Sequence, residues 1–191
     1  MVLEQNWIYF RLLEFKHILD KIDIEKIDEF VKNLVDLRAR KGRLFILGYG
    51  GSAANADHMV NDLMKICGVH AVAPTNNTAL LTAVANDIDI QNYFRSYLNW
   101  VNCNENDDIF ILSVSGHKFG NSQSFGLVDA LEVKHNKVYG ILGKSYSSLS
   151  VAYPDNFLVI PEVNPDMATP FSEAMQGVIW HILVNDPRLI Q

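Results

Sequence analysis

An open parallel α/β sheet flanked by helices is the fold this sequence predicts, and three observations predict it. Compact apolar runs without polar alternation recur along the chain, as in strands buried on both faces of a parallel sheet. Stretches with helical spacing separate those runs. Glycine- and serine-rich turns follow them, where the carboxyl ends of strands in such sheets bind ligands.

Residues 3–40 read as helical. Trp7, Phe10, Leu13, Ile18 and Ile22 recur at helical spacing, and Ile27, Phe30, Val31, Leu34 and Leu37 do so again. Asp23 is placed to cap the second helix, because a short carboxylate accepts from free N–H groups there. Four apolar runs follow, at Arg43–Leu47, Asp108–Leu112, Lys137–Leu142 and Asn156–Ile160. Helices are expected at residues 53–66, 78–101, 122–135 and 169–184.

Composition narrows the function classes. The chain has 191 residues, enough for one domain over residues 1–191, with a helical arm at 1–40 and an α/β core at 41–191. A net charge of −6 argues against a nucleic-acid partner, which usually meets a basic stripe. It does not argue against binding phosphate, since backbone N–H groups and helix N-termini supply local positive potential. Cys67 and Cys103 lack the spacing of a zinc knuckle or a redox pair and read as reduced thiols. No run reaches the roughly 18 apolar residues of a membrane span, and no signal-peptide pattern is seen. A cytoplasmic protein without a membrane partner is expected.

Two turns are suited to an anion. In Gly48-Tyr49-Gly50-Gly51-Ser52, three glycines in four positions let backbone N–H groups approach a ligand, and Ser52 adds a hydroxyl. The bland alternative is a tight strand-to-helix turn. The GxGxxG and GxxxxGK[ST] patterns are not satisfied, so neither a dinucleotide nor a P-loop nucleotide is implied. Ser113, Ser115 and Gly116 follow the next run, and Asn121, Ser122, Gln123 and Ser124 lead into a helix. Serine-rich turns are common singly; two such turns on separate strand ends point to one phosphate.

These segments resemble the SIS (sugar isomerase) family. The likeness rests on the strand–GxGGS–helix segment of residues 44–62, the SxSG turn Ser113–Gly116, the Asn86-Asp87 pair, and a final helix with Glu173 and His181. Within the family the sequence is similar to the phosphoheptose isomerases. The resemblance implies five parallel strands, the fifth near Val69–Ala73, and conversion of sedoheptulose 7-phosphate to D-glycero-D-manno-heptose 7-phosphate. It also implies a homotetramer with sites between subunits, a zinc ion, and a product used for lipopolysaccharide, capsule or a related glycan. By that resemblance Gly50, Gly51, Ser52, Asp87, Ser113, Ser115 and Ser124 bind substrate. His58, Asp62, Glu173 and His181 bind metal, and Asp62, Glu173 and His181 are catalytic. Other members of the family are non-catalytic, binding phosphosugars or proteins, including a tetrameric regulator of bacterial replication initiation.

The sequence departs from that pattern at several positions. Tyr49 replaces an asparagine, Val114 a threonine, Asp62 a glutamate and Glu173 a glutamine. Pro170 and Ile66 stand where an acid and a base are usual, and about six residues around His117–Gly120 are extra, lengthening a loop at 117–121.

Residue spacing gives the same set a physical reading. His58 and Asp62 lie one helical turn apart, so they can share a divalent metal or simply form a surface pair. Glu173 and His181 are eight residues apart, about 12 Å along a helix. Convergence of their long side chains on one ion is possible but strained at that distance, and the alternative is that one of them serves a neighbouring site. A lone histidine in Ile179–Leu183 is otherwise an ordinary core residue. Aldose–ketose interconversion needs a base, an acid and an electrophile, which Asp62 or Glu173, His181 and zinc would supply.

Overall fold

The computed structural model describes residues 2–116 and 124–191. The chain opens with α1 (Val2–Leu19) and α2 (Ile24–Ala39). Asp23 caps α2 as its position predicts, accepting from the Lys26 N–H at 2.9 Å. Then come β1 (Arg43–Leu47), α3 (Gly51–Lys65), β2 (His70–Val72), α4 (Thr78–Asp87) and α5 (Tyr93–Trp100). The remainder is β3 (Asp108–Ser113), α6 (Phe125–Asp129), β4 (Lys137–Leu142), α7 (Ser148–Ala152), β5 (Phe157–Val159) and α8 (Ala168–Val184).

All five strands are parallel, in the order β2-β1-β3-β4-β5. Both faces of the sheet are buried, which is why its strands read as continuous apolar runs. Leu44, Ile46, Phe110, Leu112, Tyr139 and Ile141 point to the layer of α2, α3 and α8. Phe45, Leu47, Ile109, Ile111, Val138 and Leu142 point to the layer of α5 and α6. At the amino edge, Arg43 pairs with Asp107 at 2.6 Å and Arg40 with Asp108 at 2.7 Å, so these two buried carboxylates are matched by charge.

Three expectations need correction. The helix expected over 78–101 is broken at Ile88–Asn92, where the Asp89 carboxylate accepts from the Gln91 N–H at 2.9 Å and starts a separate turn. The helix expected over 122–135 is short: α6 passes into a 3₁₀ turn at Ala130–Glu132. The arm divides in two. Phe30 of α2 packs on Phe110 and Tyr139, each at 5.5 Å, so α2 belongs to the core layer. In α1, Ile18 is buried and Phe15 meets Phe171 edge-on at 4.7 Å, whereas Trp7, Ile8, Tyr9, Phe10, Leu12 and Leu13 are exposed.

Candidate active site

The chain leaves β1 outward to β2, then returns across β1 to β3. Strand order therefore reverses between β1 and β3, and their carboxyl ends open a crevice of the kind that holds ligands in such sheets. An open cleft of about 380 Å³ lies there, lined by Tyr49, Gly50, Ser52, Ser113, Ser115, Ser124 and Glu173 among others. Ser115 Oγ stands 2.7 Å from Ser124 Oγ, which is 3.3 Å from Ser113 Oγ. The Gly116 N–H donates to Ser113 Oγ at 3.1 Å, bracing the turn. Four of the expected substrate-binding hydroxyls thus share one cleft, Ser124 included despite the extra loop before it.

Two helix N-termini add to the positive potential. Gly50 is the N-cap of α3 and Met167 that of α8; neither start has a side-chain cap or an acidic residue in its first turn. Tyr49 packs on Phe94 with ring centroids 4.9 Å apart. Burial, and then the charge of Asp89, pushes its phenol up to about 12, so it faces the cleft as a neutral hydroxyl. Residues 117–121, including His117 and Lys118, together with Ser122 and Gln123, lie outside the described residues.

From the cleft, α3 and α8 run side by side in the same direction. Gly51 lies against the Glu173 carboxylate: a Cβ there would stand 2.5 Å from Glu173 Oε2, so a larger residue would displace that carboxylate. One turn on, Asn55 donates to the Glu173 carbonyl at 2.9 Å and to Gln176 Oε1 at 3.2 Å. A further turn on, His58 meets His181, with ring centroids 5.4 Å apart, and Trp180 edge-on at 4.6 Å.

His58, buried Asp62 and His181 each offer a ligand atom within 4.8 Å of the others. His58 Nε2 is 3.8 Å from Asp62 Oδ2, while Asp62 Oδ1 accepts from Asn61 Nδ2 at 2.8 Å and faces Lys65 Nζ at 3.6 Å. His181 Nδ1 lies 2.7 Å from the Gly177 carbonyl oxygen. A carbonyl only accepts, so Nδ1 carries the proton and Nε2 presents its lone pair. Two imidazoles and one carboxylate are donors of the kind that hold divalent metals, and the residues fit a divalent ion. Because Nδ1 is committed to Gly177, Nε2 is a metal ligand or a proton carrier at any one moment, not both.

Glu173 is not in this cluster. Its carboxylate lies at Gly51, eleven residues before Asp62, about 16 Å along the α3 axis. The expectation that Glu173 joins His58, Asp62 and His181 as a metal ligand is therefore corrected to three donors here and Glu173 in the cleft. Asp87 is the exposed last residue of α4, holds the Asn86 amide at 2.7 Å, and does not line the cleft. Sequence reasoning missed Lys144, Thr169 and the tryptophan beside the imidazoles. Lys144 carried a usable signal, its place just past a strand end.

A family model described as the SIS domain matches residues 12–141. A phosphoheptose isomerase of Syntrophotalea carbinolica is 29% identical over 180 residues, covering 90% of this chain and 87% of the relative. One from Helicobacter pylori is 27% identical over 189 residues, covering 94% and 93%. Among solved structures, phosphoheptose isomerase GmhA from Neisseria gonorrhoeae superposes with a TM-score of 0.79 at 22% identity, over 97% of this chain and 98% of that one. A match over more than half of the chain, on the same sheet and turns described above, identifies the lineage: the chain belongs to the SIS domain family.

Proposed function

We propose that this protein is a sugar-phosphate isomerase that converts sedoheptulose 7-phosphate to D-glycero-D-manno-heptose 7-phosphate. The observation that carries the reading is the seam of α3 and α8. Its near end opens the hydroxyl-lined cleft, and its far end holds His58, Asp62 and His181. Seven residues of α3 separate Gly51 from His58, about 10 Å of helix, which suits a seven-carbon sugar with phosphate at one end and a carbonyl at the other.

In this reading Ser52, Ser113, Ser115 and Ser124 donate to the phosphate, and the backbone at Gly50 and Gly51 approaches it closely. Glu173 faces the hydroxyls of the sugar chain. His58, Asp62 and His181 hold zinc, which when bound would polarise the carbonyl and stabilise the enediolate. Asp62 takes the proton from C1 and returns it at C2, while a second proton passes from the C1 hydroxyl to the C2 oxygen, so that the ketone becomes a hydroxyl and C1 an aldehyde. The product would feed a heptose-containing surface glycan such as lipopolysaccharide or capsule. A purely binding, regulatory role needs the cleft but not the histidine–carboxylate cluster, so the cluster favours the enzyme. Stripping the metal with a chelator is expected to abolish turnover, and added zinc to restore it; metal-free protein at full rate would refute the zinc role.

The reading takes residues 1–191 as one domain, working in the cytoplasm as a homotetramer. No helix among the described residues is long and apolar enough to cross a membrane. The exposed apolar residues of α1 point all round the helix and need cover, and in this reading other copies of the chain supply it, taking Trp7 and Phe10 out of water. Asp87, which does not line the cleft of its own chain, would then act at a neighbour's. Light scattering at micromolar concentration should give four times the 21.6 kDa chain mass; a monomer would refute the assembly.

A further inference from the structure

The serine hydroxyls of the cleft are neutral, the chain carries a net charge of −6, and the Glu173 carboxylate faces the same space. A phosphate dianion placed there lacks a counter-charge from these groups. Among the described residues one basic side chain lines the cleft, that of Lys144.

The local backbone fixes where this lysine stands. It follows β4, the neighbour of β3, by two residues. The Gly143 N–H donates to the Ser113 carbonyl at 3.0 Å, tying the segment to the turn that carries the hydroxyls. A Cβ on Gly143 would stand 2.3 Å from Ser172 Oγ of α8, so only glycine passes between that turn and the helix. Beyond the lysine, Ser147 and Ser150 form a reciprocal capping box at α7, and the Leu149 N–H donates to the Gly116 carbonyl at 3.2 Å. Lys144 is exposed and forms no ion pair among the described residues. A cation on a clamped segment beside a cluster of hydroxyls, with no carboxylate of its own, is placed for an anionic ligand.

We propose that Lys144 is the phosphate-binding cation of the cleft, a residue that positions the substrate by its charged end. The proposal rests on the sugar-phosphate reading of the cleft. Inorganic phosphate titrated calorimetrically is the probe, with wild type, Lys144→Gln and Lys144→Arg compared. Loss of a charge-assisted contact should weaken phosphate binding about 10- to 100-fold in Lys144→Gln. Lys144→Arg should recover most of it. With sedoheptulose 7-phosphate, KM should rise by the same factor while kcat stays within about twofold, the pattern of a binding contact kept from ground state to transition state. Because Lys144 is exposed, both variants should melt with the wild type. Equal phosphate affinity in wild type and Lys144→Gln overturns the proposal. Weakened phosphate binding together with a wild type that turns over no sedoheptulose 7-phosphate upholds Lys144 and overturns the isomerase reading instead.

Discussion

Replacing His181 with alanine is expected to lower kcat at least ~100-fold, the lower end of what a positioned acid, base or metal ligand contributes. The side chain brings the only available Nε2 from α8 to His58 and Asp62, and nothing on that helix turn substitutes for it. If His181 is a ligand, its loss leaves a two-donor site that holds zinc weakly. If it carries a proton, its loss removes that transfer. Both routes lead to the same fall in rate. Folding is not the confounder, because the imidazole is exposed while its neighbour Trp180 stays in the core. Steady-state kinetics beside a melting curve check this; a well-folded, active variant would remove His181 from the site.

The second large effect is expected from Ser115→Asp. Ser115 Oγ touches Ser124 Oγ at 2.7 Å and lines the cleft, so a carboxylate in its place stands among the cleft hydroxyls. Two unit charges about 4 Å apart at an effective dielectric near 20 repel by about 4 kcal/mol, and a phosphate carries more than one. Sugar-phosphate affinity should fall at least ~100-fold. Ser115→Ala should cost less, about tenfold, the low end for losing one hydrogen bond to a charged acceptor. Calorimetry on the two variants separates charge from a lost contact. Unchanged affinity in Ser115→Asp would put the phosphate elsewhere.

The sheet was legible because its signals are local. Burial on both faces makes each strand an apolar run, and the turns at Gly48–Ser52 and Ser113–Gly116 sit where the topology puts a crevice. Helical spacing placed His58 above Asp62. What sequence could not give is lateral. The register of α8 against α3 decides that Glu173 meets Gly51 rather than Asp62, and no spacing within one helix encodes it. The break at Ile88–Asn92 was hidden because apolar residues continue through it, while Asp89 turns the backbone. The helix at Ser148–Ala152 is too short for periodicity, and its signal is a serine pair three residues apart. The apolar residues near the start of α1 read as packed positions in sequence, but Trp7, Ile8, Tyr9 and Phe10 are exposed in the single chain.

The most direct measurement is proton NMR of sedoheptulose 7-phosphate incubated with zinc-loaded protein. The ketose has no hydrogen on its anomeric carbon, whereas an aldose 7-phosphate has one. New anomeric proton signals should grow to a stable ketose–aldose ratio, and remain absent from the chelated protein and from the His181→Ala variant. A spectrum unchanged from the protein-free control would contradict the assignment of this chain as a heptose-phosphate isomerase.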